Sequence, residues 1–191
     1  MINKKFFQKL KEDYHKTMSE RRQIISISND VLHGAKKIIF ILHRGETNEA
    51  KKKFFEIELF LQQLKKKFGY ERVMEEGSYR AAVEEYVEAK MFYFVIVNKK
   101  IDKIKEIKLD CDSYLGGLCD LTGELVRRAI NEASSNNLNE VTKIKKIINE
   151  IMEELIEFDM TGYLRTKYDQ AKHSLGKIEQ LAYEKTARTS A

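Results

Sequence analysis

Apolar residues recur along most of the chain at the three- and four-residue spacing of amphipathic helices. Within the first forty residues the spacing is close to a heptad, at Ile24, Ile27, Val31, Ile38 and Leu42. The Ile–Ser alternation over 24–28 is typical of a strand, but five residues do not outweigh a forty-residue helical pattern. We therefore predict one long helix from Asn3 to about His43.

Glycines and small polar residues divide the remainder into further helices. Nine glycines and no proline leave little to interrupt a helix. Breaks are expected at 45–48, 69, 77–78, 134–137 and 162, which gives helices over about 48–68, 78–98, 112–133, 138–158 and from 162 to 185. Residues 186–191 are expected to be a frayed tail. The pattern predicts an all-α bundle of six or seven helices in a single domain, 1–191, because no linker or repeat divides it.

Charge and cysteine content narrow the class of protein. The chain has 35 Lys and Arg against 30 Asp and Glu, a net charge of +5 that is compatible with nucleic-acid binding without requiring it. Cys111 and Cys119 are too far apart on one helix for a disulfide and are interpreted as buried thiols in a reducing compartment. The longest apolar run, 91–97, is too short to cross a membrane. We expect a cytoplasmic protein without a membrane partner.

The first candidate acidic pair is Glu85 and Glu88. Their i, i+3 spacing places both carboxylates on one face of a helix. They directly precede the apolar and aromatic run 91–97, which predicts a helix that is buried on every side. These carboxylates are therefore expected to lie under cover.

The second pair, Asp120 and Glu124, shares one arc of a helix with Gly116, Gly117 and Gly123. Three glycines in a helix cost about 2–3 kcal/mol of helix propensity relative to alanine. We therefore expect another backbone or a ligand to approach this arc closely.

Each pair has a simpler interpretation as surface charge, for example a Glu124–Arg128 ion pair, and for either pair alone that interpretation is favoured. Four carboxylates on two helices that lead into buried segments favour a shared site, whose like charges need protons, arginines or a cation. Carboxylates without histidine or thiolate favour Mg²⁺ or Mn²⁺, which suit phosphodiester chemistry. A carboxylate-bridged iron oxidase would need Glu-x-x-His pairs, and neither stretch has one.

Two segments resemble motifs of the translin-associated factor X (Trax) branch of the translin family. They are Glu85-Tyr-Val-Glu-Ala89, followed by the aromatic run, and Tyr114-Leu-Gly-Gly-Leu-Cys-Asp-Leu-Thr-Gly-Glu-Leu-Val-Arg127; weaker matches are 38–44, 129–131 and 174–179. The resemblance implies seven helices and a hollow octamer that binds single-stranded RNA or DNA. It also implies Mg²⁺-dependent RNA cleavage in which Glu85, Glu88, Asp120 and Glu124 are both catalytic and metal-binding. The short connection from Asn98 to Asp112 suggests a compact, archaeal-type relative that assembles with itself.

The leading hypothesis is thus a metal-dependent endoribonuclease that cleaves single-stranded RNA within a hollow homo-oligomer. The alternative is a non-catalytic protein of the same fold that binds single-stranded RNA or DNA. Ile24 and Ile27 are candidate contacts to a neighbouring copy. His43 is expected only to cap or pack at the end of the first helix, and Lys90 to be an ion-paired or solvated cation. The candidate RNA-binding residues, each with the same simpler interpretation, are Arg80, Arg44, Arg127 and Arg128.

Overall fold

The backbone forms seven helices in the computed structural model, which describes residues 1–189 and the side chains of 1–184. They are α1 (Lys4–His43), α2 (Thr47–Phe68), α3 (Tyr70–Met74), α4 (Gly77–Ile96), α5 (Cys111–Ser134), α6 (Leu138–Leu155) and α7 (Gly162–Thr189). No strand is present among the described residues. The predicted all-α bundle is confirmed, and the strand-like alternation over 24–28 lies within α1.

Side-chain caps and turn glycines define several of the helix ends. Asn3 accepts a hydrogen bond from the Phe6 amide at the start of α1, and Asp110 accepts one from the Ser113 amide at the start of α5. Gly69, with φ of 86°, turns the chain between α2 and α3 in a conformation that only glycine adopts readily. α3 was not predicted, because a single helical turn is too short to show a period.

Some predicted boundaries differ from those observed. α4 ends at Ile96 and α6 at Leu155, a few residues before the predicted ends at 98 and 158. α7 continues to Thr189, past the predicted end at Lys185, and positions 190 and 191 of the predicted tail lie outside the described residues. Such shifts are usual, because the last turn of a helix is set by local caps more than by periodicity.

α4 and α5 form the centre of the bundle. α4 packs against α1 on one side and α5 on the other, while α5 also contacts α6 and α7. Every residue from Tyr86 to Tyr93 is buried. The run 91–97, predicted to be buried on every side, is so only in part, because Phe94, Ile96 and Val97 are half-buried near the end of α4. Lys90, within this stretch, is ion-paired with Glu58 at 2.7 Å and Glu106 at 2.8 Å. This agrees with the expectation that Lys90 is an ion-paired or solvated cation.

The observed burial of individual side chains corrects two expectations. Cys119 is buried but Cys111 is exposed, because it is the first residue of α5 and lies outside the packed part of the helix. Ile24 is fully buried within its own chain and is therefore not available to a neighbouring copy. None of the described helices combines the length and apolar character that crossing a membrane requires.

Candidate active site

Two adjacent glycines of α5 allow it to lie directly on α4. A Cβ at Gly117 would stand 2.6 Å from Val87 Cγ1 and 2.9 Å from the Glu84 carbonyl oxygen, and one at Gly116 would stand 2.7 Å from Glu84 Cδ. Gly123, in contrast, has open space around it. The predicted close approach is therefore confirmed at Gly116 and Gly117 and wrong at Gly123.

This contact brings the acids of the two helices together. We call Glu84, Glu85, Glu88, Asp120 and Glu124 the acidic cluster. Glu88 is only 8% exposed. Burial, together with the charges of Glu85, Asp120 and Glu124, raises the pKa of Glu88 to about 9. Burial also raises the pKa of Glu85, with Asp120 and Glu124 adding to it and Lys36 opposing it. The four carboxylates named from sequence are thus electrostatic neighbours in a sheltered site.

Lys167 of α7 reaches into the acidic cluster. Its ammonium lies 2.7 Å from Glu84 Oε1 and donates a short hydrogen bond to Asp120 Oδ2. Tyr163, one turn earlier on α7, donates its hydroxyl to the same Glu84 oxygen at 2.7 Å. Burial lowers the pKa of Lys167, but the bonds to Asp120 and Glu84 outweigh burial and the pKa is raised overall.

Lys167, Tyr163 and Glu84 were missed by sequence reasoning. In the sequence of α7, Tyr163 and Lys167 stand among other polar residues with nothing to distinguish them. Glu84 adjoins the recognised Glu85 motif but points at Gly116, so the paired glycines were the available signal for it. The site is consequently richer in charge than the four predicted acids alone.

His43, at the end of α1, contacts the opposite end of the cluster. Its Nε2 lies 2.5 Å from Glu124 Oε2, and its ring packs at 4.8 Å from that of Phe92. Its buried Nδ1 has no hydrogen-bond partner among the described residues. Burial raises the pKa of Glu124, but the hydrogen bond and charge of His43, with Arg127, outweigh burial and leave the pKa below its ordinary value. The sequence pattern indicated only a capping or packing role for His43, although the residue lies within the matched segment 38–44.

The four candidate RNA-binding arginines fall into two groups. Arg80 is exposed and lines a cavity of about 470 Å³ that also includes Glu84 and Tyr163. Arg127 is half exposed and lies 3.5 Å from Glu124 Oε2. These two are therefore next to the acidic cluster.

The other two arginines are engaged elsewhere. Arg44 pairs with Glu46 at 2.9 Å. Arg128 is largely covered and pairs with Glu132 at 3.2 Å and Glu140 at 3.9 Å. Their roles in RNA binding stay predictions.

The donor chemistry of the acidic cluster suits a hard divalent ion, since every predicted ligand atom is a carboxylate oxygen. Among the described side chains, however, no group of three or more His, Cys, Asp or Glu lies in position to hold a metal ion. Three of the carboxylates are instead bonded to protein cations or to histidine: Glu84 and Asp120 to Lys167, and Glu124 to His43. The carboxylates are of the chemical type that binds Mg²⁺ or Mn²⁺, but their present bonds to Lys167 and His43 would have to open before an ion could bind.

Comparison with known proteins shows which family has this architecture. The family model described as the translin family matches residues 19–189. The chain is 25% identical over 199 residues to the translin-associated protein X homolog of Schizosaccharomyces pombe, covering 94% of this chain and 84% of that protein. It is 27% identical over 164 residues to an uncharacterized protein of Methanocaldococcus jannaschii, covering 83% and 73%. Its fold matches that of AfC3PO, solved in complex with duplex RNA, with a TM-score of 0.84, 20% identity and coverage of 97% and 99%. The chain belongs to the translin family.

Proposed function

We propose that the chain is a Mg²⁺- or Mn²⁺-dependent endoribonuclease that cleaves single-stranded RNA within a hollow homo-oligomer, an octamer. The observation that carries the proposal is the acidic cluster itself. Carboxylates from α4 and α5 neighbour one another in a sheltered site, where Glu88 is 8% exposed. Acids that share a sheltered site and have shifted pKa values often mark a functional site.

Glu85, Glu88, Asp120 and Glu124 would hold the ion. When bound there, a divalent ion would supply a Lewis acid and an activated water for phosphodiester hydrolysis. His43 fixes the position of the Glu124 carboxylate through its 2.5 Å contact, as partners behind a metal ligand commonly do. Glu88, with its pKa raised to about 9, keeps a proton at neutral pH while no metal ion is bound.

RNA binding is supported by the basic residues around the cluster. Arg80 and Arg127 lie beside it, and an arginine there can donate two hydrogen bonds to one phosphate. Arg44 and Arg128 would contribute only by exchanging their present carboxylate partners for phosphate. The structural neighbour AfC3PO was solved with duplex RNA, which makes RNA the first polymer to test. A cytoplasmic location belongs to the same proposal.

The second candidate function is RNA or single-stranded DNA binding without cleavage. The observation that favours it is the engagement of three carboxylates by Lys167 and His43, which already partly neutralises the cluster. In this alternative the acids would be structural, and the arginines alone would contact the polymer.

Cleavage of end-labelled RNA distinguishes the two functions. The purified oligomer is incubated with single-stranded RNA, duplex RNA or single-stranded DNA in Mg²⁺ or Mn²⁺ and then in chelator. We expect internal cuts in single-stranded RNA that chelator abolishes. Glu88→Gln should remove them, while Glu154→Gln, an exposed acid on α6, should leave them intact. Binding of RNA without metal-dependent products would instead establish the non-catalytic function.

Light scattering on the same sample tests the assembly. A particle of eight chains of 22.4 kDa is expected. A strict monomer would refute the hollow homo-oligomer, although it would leave the cleavage result unaffected.

A further inference from the structure

One carboxylate oxygen of Asp120, a residue that would hold the proposed metal ion, is already bonded by a side chain of the protein. The Lys167 ammonium bonds Asp120 Oδ2 and, at 2.7 Å, Glu84 Oε1. Its side chain is only 16% exposed, so water does little to screen these contacts. Lys167 thus connects α7 to both central helices through a carboxylate of each.

The other charges around the cluster do not duplicate this role. Lys36 lies 3.9 Å from Glu85 Oε2 and is 59% exposed, so it is largely hydrated. Within the acidic cluster, His43 is hydrogen-bonded to Glu124 but bridges no second carboxylate. Lys167 is therefore the only described lysine that bonds two members of the acidic cluster.

We propose that Lys167 is an internal counter-cation that competes with a divalent ion for Asp120, so that the ammonium leaves Asp120 when the ion binds. This inference rests on the metal-dependent function proposed above. A cation with two charges displaces an ammonium readily only where the ammonium has another partner to retain. Lys167 has two other partners, since its ammonium lies 2.7 Å from Glu84 Oε1 and 5.3 Å from the centre of the Tyr163 ring.

The competition predicts an unusual direction for a substitution inside a binding site. In Lys167→Gln the two carboxylates lose their ammonium, and the protein without metal should become less stable. The same loss frees Asp120, so Mn²⁺ should bind at least tenfold more tightly than it binds the wild type. Lys167→Arg keeps the charge and adds bidentate bonding, so it should bind Mn²⁺ several-fold more weakly.

Isothermal titration with Mn²⁺ alone, in the absence of RNA, tests this on the full chain. Lys172→Gln, an exposed lysine on the same helix, is the matched control and should bind Mn²⁺ as the wild type does. Thermal unfolding gives a second measurement, in which Mn²⁺ should raise the melting temperature of Lys167→Gln more than that of the wild type.

The outcomes separate this inference from the proposed function. Equal or weaker Mn²⁺ binding by Lys167→Gln would overturn the competition while leaving the metal-dependent function standing. So would a loss of RNA affinity in Lys167→Gln with Mn²⁺ affinity unchanged, because Lys167 would then be an RNA contact. Absence of Mn²⁺ binding in both proteins would overturn both proposals. If Lys167→Gln does not fold without metal, Lys167→Arg decides, and an affinity equal to or above that of the wild type would refute the competition.

Discussion

Replacing Gly117 with alanine tests the helix contact on which the site depends. The new Cβ would lie 2.6 Å from Val87 Cγ1, 2.8 Å from Val87 Cβ and 2.9 Å from the Glu84 carbonyl oxygen. One of these atoms is backbone and another is the branch point of a β-branched side chain, so a rotamer change relieves only part of the overlap. The two helices must therefore separate by several tenths of an ångström.

Two opposing effects set the magnitude. Alanine gains about 1 kcal/mol over glycine in helix propensity. Overpacking of a close contact costs about 1–3 kcal/mol, and the rigid neighbours place this site toward the upper limit. We expect a net destabilisation of about 1–2 kcal/mol for Gly117→Ala. Gly123→Ala has open space and keeps only the propensity gain, so it should be stabilised by up to about 1 kcal/mol.

Urea unfolding followed by helical circular dichroism, at one fixed protein concentration, measures both variants. Asp120 follows Gly117 by one helical turn, so separation of the helices also moves Asp120 away from α4. Gly117→Ala should therefore lose RNA cleavage in proportion to that shift, while Gly123→Ala keeps it. If the two alanine variants were equally stable, the close approach of α4 and α5 would not depend on the glycine at position 117.

Three further predictions concern the charges of the site. The pKa of Glu88 is 4.5 in its ordinary state and about 9 in the folded chain, so between these pH values the folded chain holds a proton that the unfolded chain releases. The contribution of Glu88 to stability is therefore present below pH 4.5 and is lost as the pH rises toward 9. Glu88→Gln should remove that loss and, in chelator at pH 8, raise the free energy of unfolding by about 1–3 kcal/mol; a lower stability than wild type would contradict the raised pKa. His43→Gln should weaken Mn²⁺ affinity about 10- to 100-fold by releasing Glu124, whereas the same change at the exposed His33 should not. Equal Mn²⁺ affinities of the two variants would show that His43 does not orient the Glu124 carboxylate. Arg80→Ala should weaken RNA binding and reduce the slope of log affinity against log salt by about one, and an unchanged slope would remove Arg80 from the phosphate contacts.

The sequence predicted the parts of this fold that repeat along a helix. Periodic apolar residues located six helices, and the unbroken apolar run after Glu88 predicted the central position of α4. Paired acids at i, i+3 and i, i+4 marked the two helix faces that meet. These features depend only on residues that are close together in the sequence, so they can be predicted from the sequence itself.

The partners of the acids could not be predicted in the same way. Lys167 and His43 are far from the acids in sequence, separated by 47 residues from Asp120 and 81 from Glu124, respectively. Which lysine of many reaches the cluster depends on how α7 lies across α5, and neither helix periodicity nor charge encodes that angle. Gly123 shows the opposite error, because a glycine can occupy an open helix face without any close approach.

The acidic cluster connects function to stability through helices that are distant in the chain. Its acids come from α4 and α5, but the groups that neutralise them come from α1, through His43, and from α7, through Lys167. Each such contact stabilises the metal-free bundle, and the His43 and Lys167 contacts also decide how readily a carboxylate can accept a different cation. Substitutions that stabilise the empty protein, such as Glu88→Gln, should therefore be those that damage the proposed activity, while Lys167→Gln should destabilise the empty protein and favour the metal-bound one. Opposite effects at Glu88 and at Lys167, which bonds two other acids of the cluster, are difficult to explain if these acids are surface charges alone.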